Sequence, residues 1–228
     1  MGSCSPESTE ASTETRRPLS ESLKFLNFLE ARILGVLIEK EKTTPDSYPL
    51  TLNSLTLGCN QKSAREPVIS VPESEVQAAL EELRGRVLVL ETYGASGRVL
   101  RYAQNFGKVY GVPPASVALL AMLALRGPQT VSELRANSER LYRFDDSFSV
   151  EAYLEELAER SSGALVIRLP KQAGSREHRW AHLLCGAVAL PSEEPARERS
   201  GERRELEERV TRLEVQVAEL QAALKNLL

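Results

Sequence analysis

The stretch "VQAALEEL" at residues 76–83 returns as "VEAYLEEL" at residues 150–157, and this internal repeat decides the predicted fold. In both copies a valine and two leucines recur at the spacing that lines one face of an α-helix. Such a helix needs neighbouring elements to cover its apolar face. The repeat therefore predicts two equivalent structural units in one chain.

Each copy continues into two β-rich segments joined by a turn. In the first copy "VLVLETYG" (87–94) faces "GRVLRYAQ" (97–104) across a glycine-containing turn. In the second, "ALVIRLPK" (164–171) faces "REHRWAHLL" (176–184) across "QAGS". These patterns are typical of β-hairpins. Because both helices have the same neighbours in the same order, a chance match between two Glu- and Leu-rich helices is the weaker explanation.

Two further helices precede each repeated helix. In "LNFLEARILGVLIEKEKTTP" (26–45), Asn27 and Glu30 form a predicted capping box, and the final proline ends the helix. A shorter helix follows from Leu50 to about Gly58. The second copy has predicted helices from Ala115 to Leu125 and from Thr130 to about Asn137. The order helix, helix, helix, hairpin predicts a mainly α protein with small β-hairpins (α+β), built as two tandem winged-helix domains.

The predicted winged-helix domains occupy residues 23–108 and 109–185, between segments of different composition. Residues 1–22 are rich in Ser, Thr, Glu and Pro, which predicts a disordered tail. Residues 186–201 form a Pro- and charge-rich linker, and residues 202–228 are predicted to form a coiled-coil helix.

The C-terminal segment carries apolar residues that alternate by three and four positions. Valine at a positions with leucine at d positions favours a parallel two-stranded coil, so we expect a homodimer. The alternative is that this stripe folds back on the chain's own domains. The candidate dimerisation residues are Val210, Leu213, Val217, Leu220, Leu224 and Leu227.

Three stretches carry a resemblance to a known family. "LEARILGVLIEKEKTTPDSYPLTLNSL" (29–55), "CNQKSAREPV" (59–68) and "LRGPQTVSELR" (125–135) are similar to the YceH family of uncharacterised bacterial proteins. The resemblance covers roughly residues 27–185 and continues into the C-terminal coil. It implies tandem winged-helix domains, in agreement with the repeat, and it transfers no catalytic residue.

The composition limits the function classes. Lys and Arg number 29 against 32 Asp and Glu, giving a formal net charge of -3, so any contact with DNA must come from a local basic patch. The three cysteines, Cys4, Cys59 and Cys185, are far apart and predict a reducing compartment without a disulfide framework. We see no signal peptide or membrane span and expect a cytoplasmic protein without a membrane partner.

Charge is divided unevenly between the third helices and the hairpins. The predicted third helices, residues 73–86 and 149–160, are net acidic, which opposes insertion into a groove lined by phosphates. The hairpins are basic and could contact phosphates, although hairpin arginines are also common as ordinary solvated residues. The candidate nucleic-acid or partner-binding residues of the hairpins are Arg98, Arg101, Lys171, Arg176 and Arg179.

The connection "CNQKSAREPVI" (59–69) is longer than the roughly 3–4 residues of a typical helix-turn-helix. In one interpretation it is a binding loop that presents the candidate residues Lys62 and Arg65 to an anionic partner. In the other it is a structural turn, in which Asn60 and Gln61 cap the second helix. Burial of Cys59 with Lys62 and Arg65 both paired internally would favour the structural role, whereas exposure of both basic side chains beside the wing would favour the binding loop.

Candidate catalytic and metal sites are weak. Cys59 ends an apolar helix without a nearby base, which is typical of buried packing. On a strand, His178 and His182 lie about 13 Å apart, too far to share one zinc ion. We therefore expect no catalytic residue, metal or cofactor, and no enzymatic activity. Two functions remain: a DNA-associated regulatory protein docking through basic wings, or a protein-interaction module using acidic third helices and the C-terminal coil.

Overall fold

A capping box at Asn27 begins helix α1 (Phe28–Thr43) in the computed structural model, which describes residues 25–93, 99–171, 175, 177–188, 209, 212 and 216. The Asn27 side chain accepts the backbone N–H of Glu30 at 2.8 Å, and the Glu30 carboxylate accepts the N–H of Asn27 at 2.8 Å. The helix ends before Pro45, which opens a short 3-10 turn (Pro45–Ser47). Both predicted limits of this helix are confirmed.

The rest of the first copy follows the predicted order. Helices α2 (Leu52–Cys59) and α3 (Glu73–Gly85) lead into strands β1 (Val89–Tyr93) and β2 (Leu100–Gln104). The strands pair antiparallel. A short helix, α4 (Phe106–Tyr110), then leads out of this copy.

The second copy repeats this order. It contains helices α5 (Pro114–Arg126), α6 (Val131–Ser138) and α7 (Ser147–Ala158), followed by strands β3 (Val166–Arg168) and β4 (Trp180–His182). The two strands again pair antiparallel. In the described residues the chain is thus mainly helical, with seven α-helices and two small two-stranded sheets, which confirms the predicted class of fold.

Each copy also contains a backbone pair that ties the start of its second helix to its second strand. Leu50 exchanges two backbone hydrogen bonds with Tyr102, at 3.1 and 2.8 Å. Gln129 does the same with Trp180, at 3.0 and 2.7 Å. The next residue in each copy is the threonine that caps the second helix. This bridge joins residues far apart in the chain and was not among our sequence predictions.

Buried side chains of both copies form one hydrophobic core. Its centre is the packing of α1 against α5, where Gly35 allows a close approach. A Cβ atom added at Gly35 would lie 2.9 Å from Cγ of Leu125 and 3.4 Å from the carbonyl oxygen of Ala121. The predicted boundary between the two domains, after residue 108, falls within α4.

Several predictions concern residues outside the described ranges: the tail (1–22), most of the linker, and the six apolar residues of the predicted coil. The chain divides into two units, residues 1–188 and 189–228. In the second unit the described residues Arg209, Arg212 and Gln216 are helical. Among the described helices, none combines the length and apolar character that crossing a membrane requires.

The contact at Gly35 leads to a prediction for stability. Gly35→Val forces a branched side chain against Leu125, so we expect it to lower the free energy of unfolding by about 1–3 kcal/mol. Urea denaturation measures this change. The same substitution at Gly85 is the control, because no atom lies within 4 Å of a Cβ placed there. Equal effects at both glycines would contradict the prediction.

Candidate functional site

The loop between α2 and α3 is fastened from within by Arg65. Its side chain is fully buried, and its guanidinium pairs with the Glu39 carboxylate of α1 at 2.6 Å. The Nε–H donates to the carbonyl of Gly58 at 3.2 Å. These bonds hold the guanidinium away from solvent, so we exclude Arg65 from the binding surface proposed below.

A second buried arginine, Arg32 of α1, holds the same loop. Its Nη2 donates to the carbonyls of Glu66 and Pro67 at 3.1 and 2.9 Å, and its guanidinium lies 5.2 Å from the ring centre of Phe28. Burial, reinforced by the neighbouring positive charge of Arg65, lowers the pKa of Arg32. Two cations from different elements thus satisfy carbonyl groups that the irregular backbone of this loop would otherwise leave unpaired.

The side chain of Asn60 ties the two ends of the loop together. Its amide donates to the carbonyl of Val71 at 2.8 Å, and its oxygen accepts the Val71 N–H at 2.9 Å. Asn60 is the C-cap of α2, as predicted: its backbone N–H donates to the carbonyl of Thr56 at 3.0 Å, while its side chain bridges the loop. Lys62, by contrast, is exposed. The contacts of Asn60 and Arg65 are those of a structural turn, with Lys62 on its outer surface.

Arg101 in β2 and Arg179, directly before β4, also make contacts within their own copies. Arg101 donates to the carbonyl of Pro49 at 2.7 Å. Arg179 donates to the carbonyl of Pro128 at 2.8 Å and pairs with Glu133 at 3.0 Å. In each copy the arginine fastens the hairpin to the segment before the second helix.

The remaining hairpin candidates differ in position. Lys171 is exposed, while Arg98 and Arg176 lie outside the described residues. Lys62 and Lys171 are therefore the candidate cations that the described part of the chain presents to solvent without a hydrogen bond to a backbone carbonyl.

The outward face of α3 is acidic. Its exposed carboxylates are Glu73, Glu75, Glu81 and Glu82. Arg84, at the end of the helix, pairs with Glu91 of β1 at 2.9 Å. The basic residue of α3 is therefore already neutralised, and the carboxylates dominate its surface.

The outward face of α7 combines acidic residues with an aromatic side chain. Glu155, Glu156 and Glu159 are exposed, and Glu151 is half-buried. The sequence of α7 (Ser147–Ala158) contains no lysine or arginine; Glu159 is the residue that caps its end, and the following Arg160 donates to the carbonyl of Tyr110 at 2.7 Å. Phe148, in the first turn, is 81% exposed. The acidic residues were among the sequence predictions but Phe148 was not, because the predicted third helix of the second copy began at residue 149 and left Phe148 outside it, whereas α7 begins at Ser147.

The other titratable candidates are buried or internally bonded. Cys59 is fully buried, and burial raises the pKa of its thiol to about 12, so the thiolate is not available at neutral pH. His178 Nδ1 lies 2.9 Å from the carbonyl oxygen of Leu169. Burial lowers the pKa of His182 to about 4. Within the described ranges, no three His, Cys, Asp or Glu side chains are placed to hold a metal ion.

Comparison with known proteins places this arrangement in a family. The family model described as "Protein of unknown function, DUF480" matches residues 26–175. A UPF0502 protein of Acidovorax sp. (strain JS42) is 53% identical over 218 residues, which cover 92% of this chain and 96% of that protein. The chain belongs to the UPF0502 (DUF480) family. The resemblance to the YceH family is thereby confirmed.

Other UPF0502 proteins show how far the similarity extends. One from Dechloromonas aromatica (strain RCB) is 50% identical over 209 residues, covering 90% of this chain and 97% of that protein. One from Burkholderia vietnamiensis (strain G4 / LMG 22486) is 57% identical over 173 residues, covering 76% and 72%. The range matched by the DUF480 family model, residues 26–175, spans α3, α7 and the buried residues Arg32 and Arg65.

The buried ion pair between Arg65 and Glu39 predicts that substituting Arg65 lowers stability strongly, whereas substituting the nearby Lys62 has a small effect. Arg65→Met removes the donors to the carbonyls of Gly58 and Ala64 and leaves the Glu39 carboxylate only the longer ion pair with Lys40, at 3.8 Å, so we expect a loss of about 2–4 kcal/mol in the free energy of unfolding. Lys62→Met is the matched control and should change it by less than about 0.5 kcal/mol. Urea denaturation measures both, and similar values would count against the structural role of the loop.

The shifted pKa of His182 predicts a pH dependence. Its folded-state pKa of about 4 lies below the ordinary value of 6.5, so only the unfolded chain takes up this proton between those values. Stability should therefore fall by about 2–3 kcal/mol as the pH drops from about 6.5 to 4. His182→Gln should flatten this slope in thermal or urea unfolding. His178→Gln is the control and should leave the slope in place.

Proposed function

We propose that this UPF0502 protein is a tandem winged-helix protein that binds a protein partner through acidic third helices and performs no catalysis. The winged-helix assignment is supported by the repeated order of three helices and a hairpin. It is further supported by the backbone pair that joins the second helix to the second strand in each copy.

The observation that carries the proposal is the charge of α3 and α7, the helices that would enter the major groove in a DNA-reading protein. Apart from Arg84, which is paired with Glu91, their exposed ionisable groups are carboxylates. Phosphates would repel this surface, whereas lysine and arginine side chains of a protein would be attracted to it.

The alternative is a DNA-associated regulatory protein. It is supported by the exposed cations Lys62 and Lys171, together with Arg140 and Arg143 in the connection between α6 and α7. Arg101 and Arg179 weaken it, because each would have to leave a hydrogen-bonded carbonyl to reach a phosphate. We keep it as the second candidate.

The proposal also includes a homodimer formed through the C-terminal heptads. Two copies joined through residues 202–228 would present two acidic α7 helices at once, which raises the avidity for a partner with repeated basic segments. The dimer is a separate part of the proposal, since acidic helices could bind in a monomer as well.

Affinity purification of the full chain from cell extract, with and without nuclease, tests the proposal. We expect the same proteins to be retained after nuclease treatment. They should be lost when Glu81, Glu82, Glu155 and Glu156 are all changed to Gln, because the attraction depends on these charges. The control variant, Asp46→Asn with Glu139→Gln, removes exposed acids elsewhere and should retain the partners.

Binding to random duplex DNA tests the alternative function. A DNA-binding protein would bind with an affinity that falls steeply with salt and would weaken when Lys62 and Lys171 are changed to Ala. That result, with partners lost upon nuclease treatment, would overturn the proposal in favour of the alternative.

A further inference from the structure

We propose that Phe148 and the carboxylates that follow it on α7 form a docking surface for a basic, amphipathic helical segment of a partner protein. This inference rests on the proposed protein-binding function and deepens it. It assigns the binding to one of the two third helices and states the chemistry of the segment that would occupy it.

Phe148 is the most exposed large apolar side chain in the described part of the chain. It lies in the first turn of α7, where the carboxylate of Asp146 accepts the backbone N–H and the hydroxyl of Ser149, both at 2.7 Å. This cap holds the start of the helix, so the ring is presented from a fixed backbone. An exposed aromatic side chain on a capped helix can serve as the apolar anchor of a protein interface.

The carboxylates lie on the same side of α7 as the ring. With 3.6 residues per turn, Phe148, Ala152, Glu155 and Glu159 form one row along the helix, and Glu151 and Glu156 flank it. The row extends over about 16 Å at a rise of about 1.5 Å per residue. The small side chain of Ala152 leaves space beside the ring for an apolar side chain of the partner.

The carboxylates on this surface are available to cations of a partner. In the described part of the chain no lysine, arginine or histidine lies within ion-pair distance of Glu151, Glu155, Glu156 or Glu159. A helix with an aliphatic residue over the ring and basic residues along the row would bury the aromatic surface and neutralise the carboxylates together. A second copy meeting this face symmetrically would instead bring glutamates against glutamates.

Helix α3 provides an internal comparison. In the repeat, Glu81 and Glu82 correspond to Glu155 and Glu156, and Ala78 corresponds to Ala152. Position 74, however, is a serine where α7 has Phe148. The two helices thus share one pair of glutamates but not the aromatic anchor, and Gln77 and Gly85 stand where the second copy has Glu151 and Glu159, so α7 is the one suited to a basic, amphipathic partner.

The test measures binding of the full chain to a fluorescein-labelled 18-residue peptide of leucine and arginine, with the leucines on one helical face. Phe148→Ser should weaken binding about 5–20-fold in fluorescence anisotropy, because it removes the apolar anchor. Glu155→Gln with Glu156→Gln should weaken binding and reduce its salt dependence. Ser74→Phe, which adds the anchor to α3, should strengthen binding.

Each control variant makes a similar substitution at another place on the surface. Leu57→Ser removes an apolar side chain that is 66% exposed on α2, and it should change the affinity less than about twofold. Glu81→Gln with Glu82→Gln should have a smaller effect than the equivalent pair on α7. A scrambled peptide of the same composition should bind more weakly than the amphipathic one. Unchanged urea midpoints would show that the variants fold.

The results separate this inference from the function on which it rests. Equal binding by Phe148→Ser and the unchanged chain would overturn the docking surface. If both glutamate pairs still contributed to binding in that case, the proposed protein-binding function would stand without the docking surface. Equal binding of the scrambled peptide would also overturn the docking surface. Binding of duplex DNA with no binding of either peptide would overturn both.

Discussion

The packing of α1 against α5 at Gly35 is the constraint on which the rest of the described structure depends. Leu125 of α5 lies against Gly35, and its carbonyl accepts the backbone N–H of Glu66 at 2.8 Å. One residue of the second copy therefore contacts both the first helix and the interhelix loop of the first copy. From the other side, Arg32 of α1 holds the same loop through backbone carbonyls. The stretch "CNQKSAREPVI" is thus a structural joint between the copies.

For Arg101 and Arg179, fold analogy predicts a contact with phosphate, whereas the observed hydrogen bonds are internal. In a winged-helix protein an arginine on a hairpin is readily interpreted as a phosphate contact. Here Arg101 and Arg179 make the same internal contact in both copies, each to a carbonyl just before the second helix. Because the contact is repeated, we assign these arginines to the architecture of the unit. Differences between the copies, above all serine at position 74 and Phe148 at the equivalent position, are a better guide to function.

Local patterns made most of the secondary structure predictable. The capping box at Asn27, the period of the apolar residues and the glycine-containing turns act over a few residues, so the sequence places the limits of the predicted helices and strands to within about four positions, although it did not predict α4. The roles of Lys62 and Arg65 could not be separated in the same way. They are three positions apart in one polar loop, and the carboxylate that makes Arg65 internal, Glu39, lies 26 residues upstream.

The sequence by itself determined the repeated order of elements, the limits of the first helix, the acidic character of the third helices and the family. Each of these follows from residues close together in the chain or from similarity along it. Only the tertiary structure decided which cations are buried and that Phe148 points to solvent. The reason is physical: the environment of a long or aromatic side chain depends on which distant groups the fold brings within about 4 Å of it.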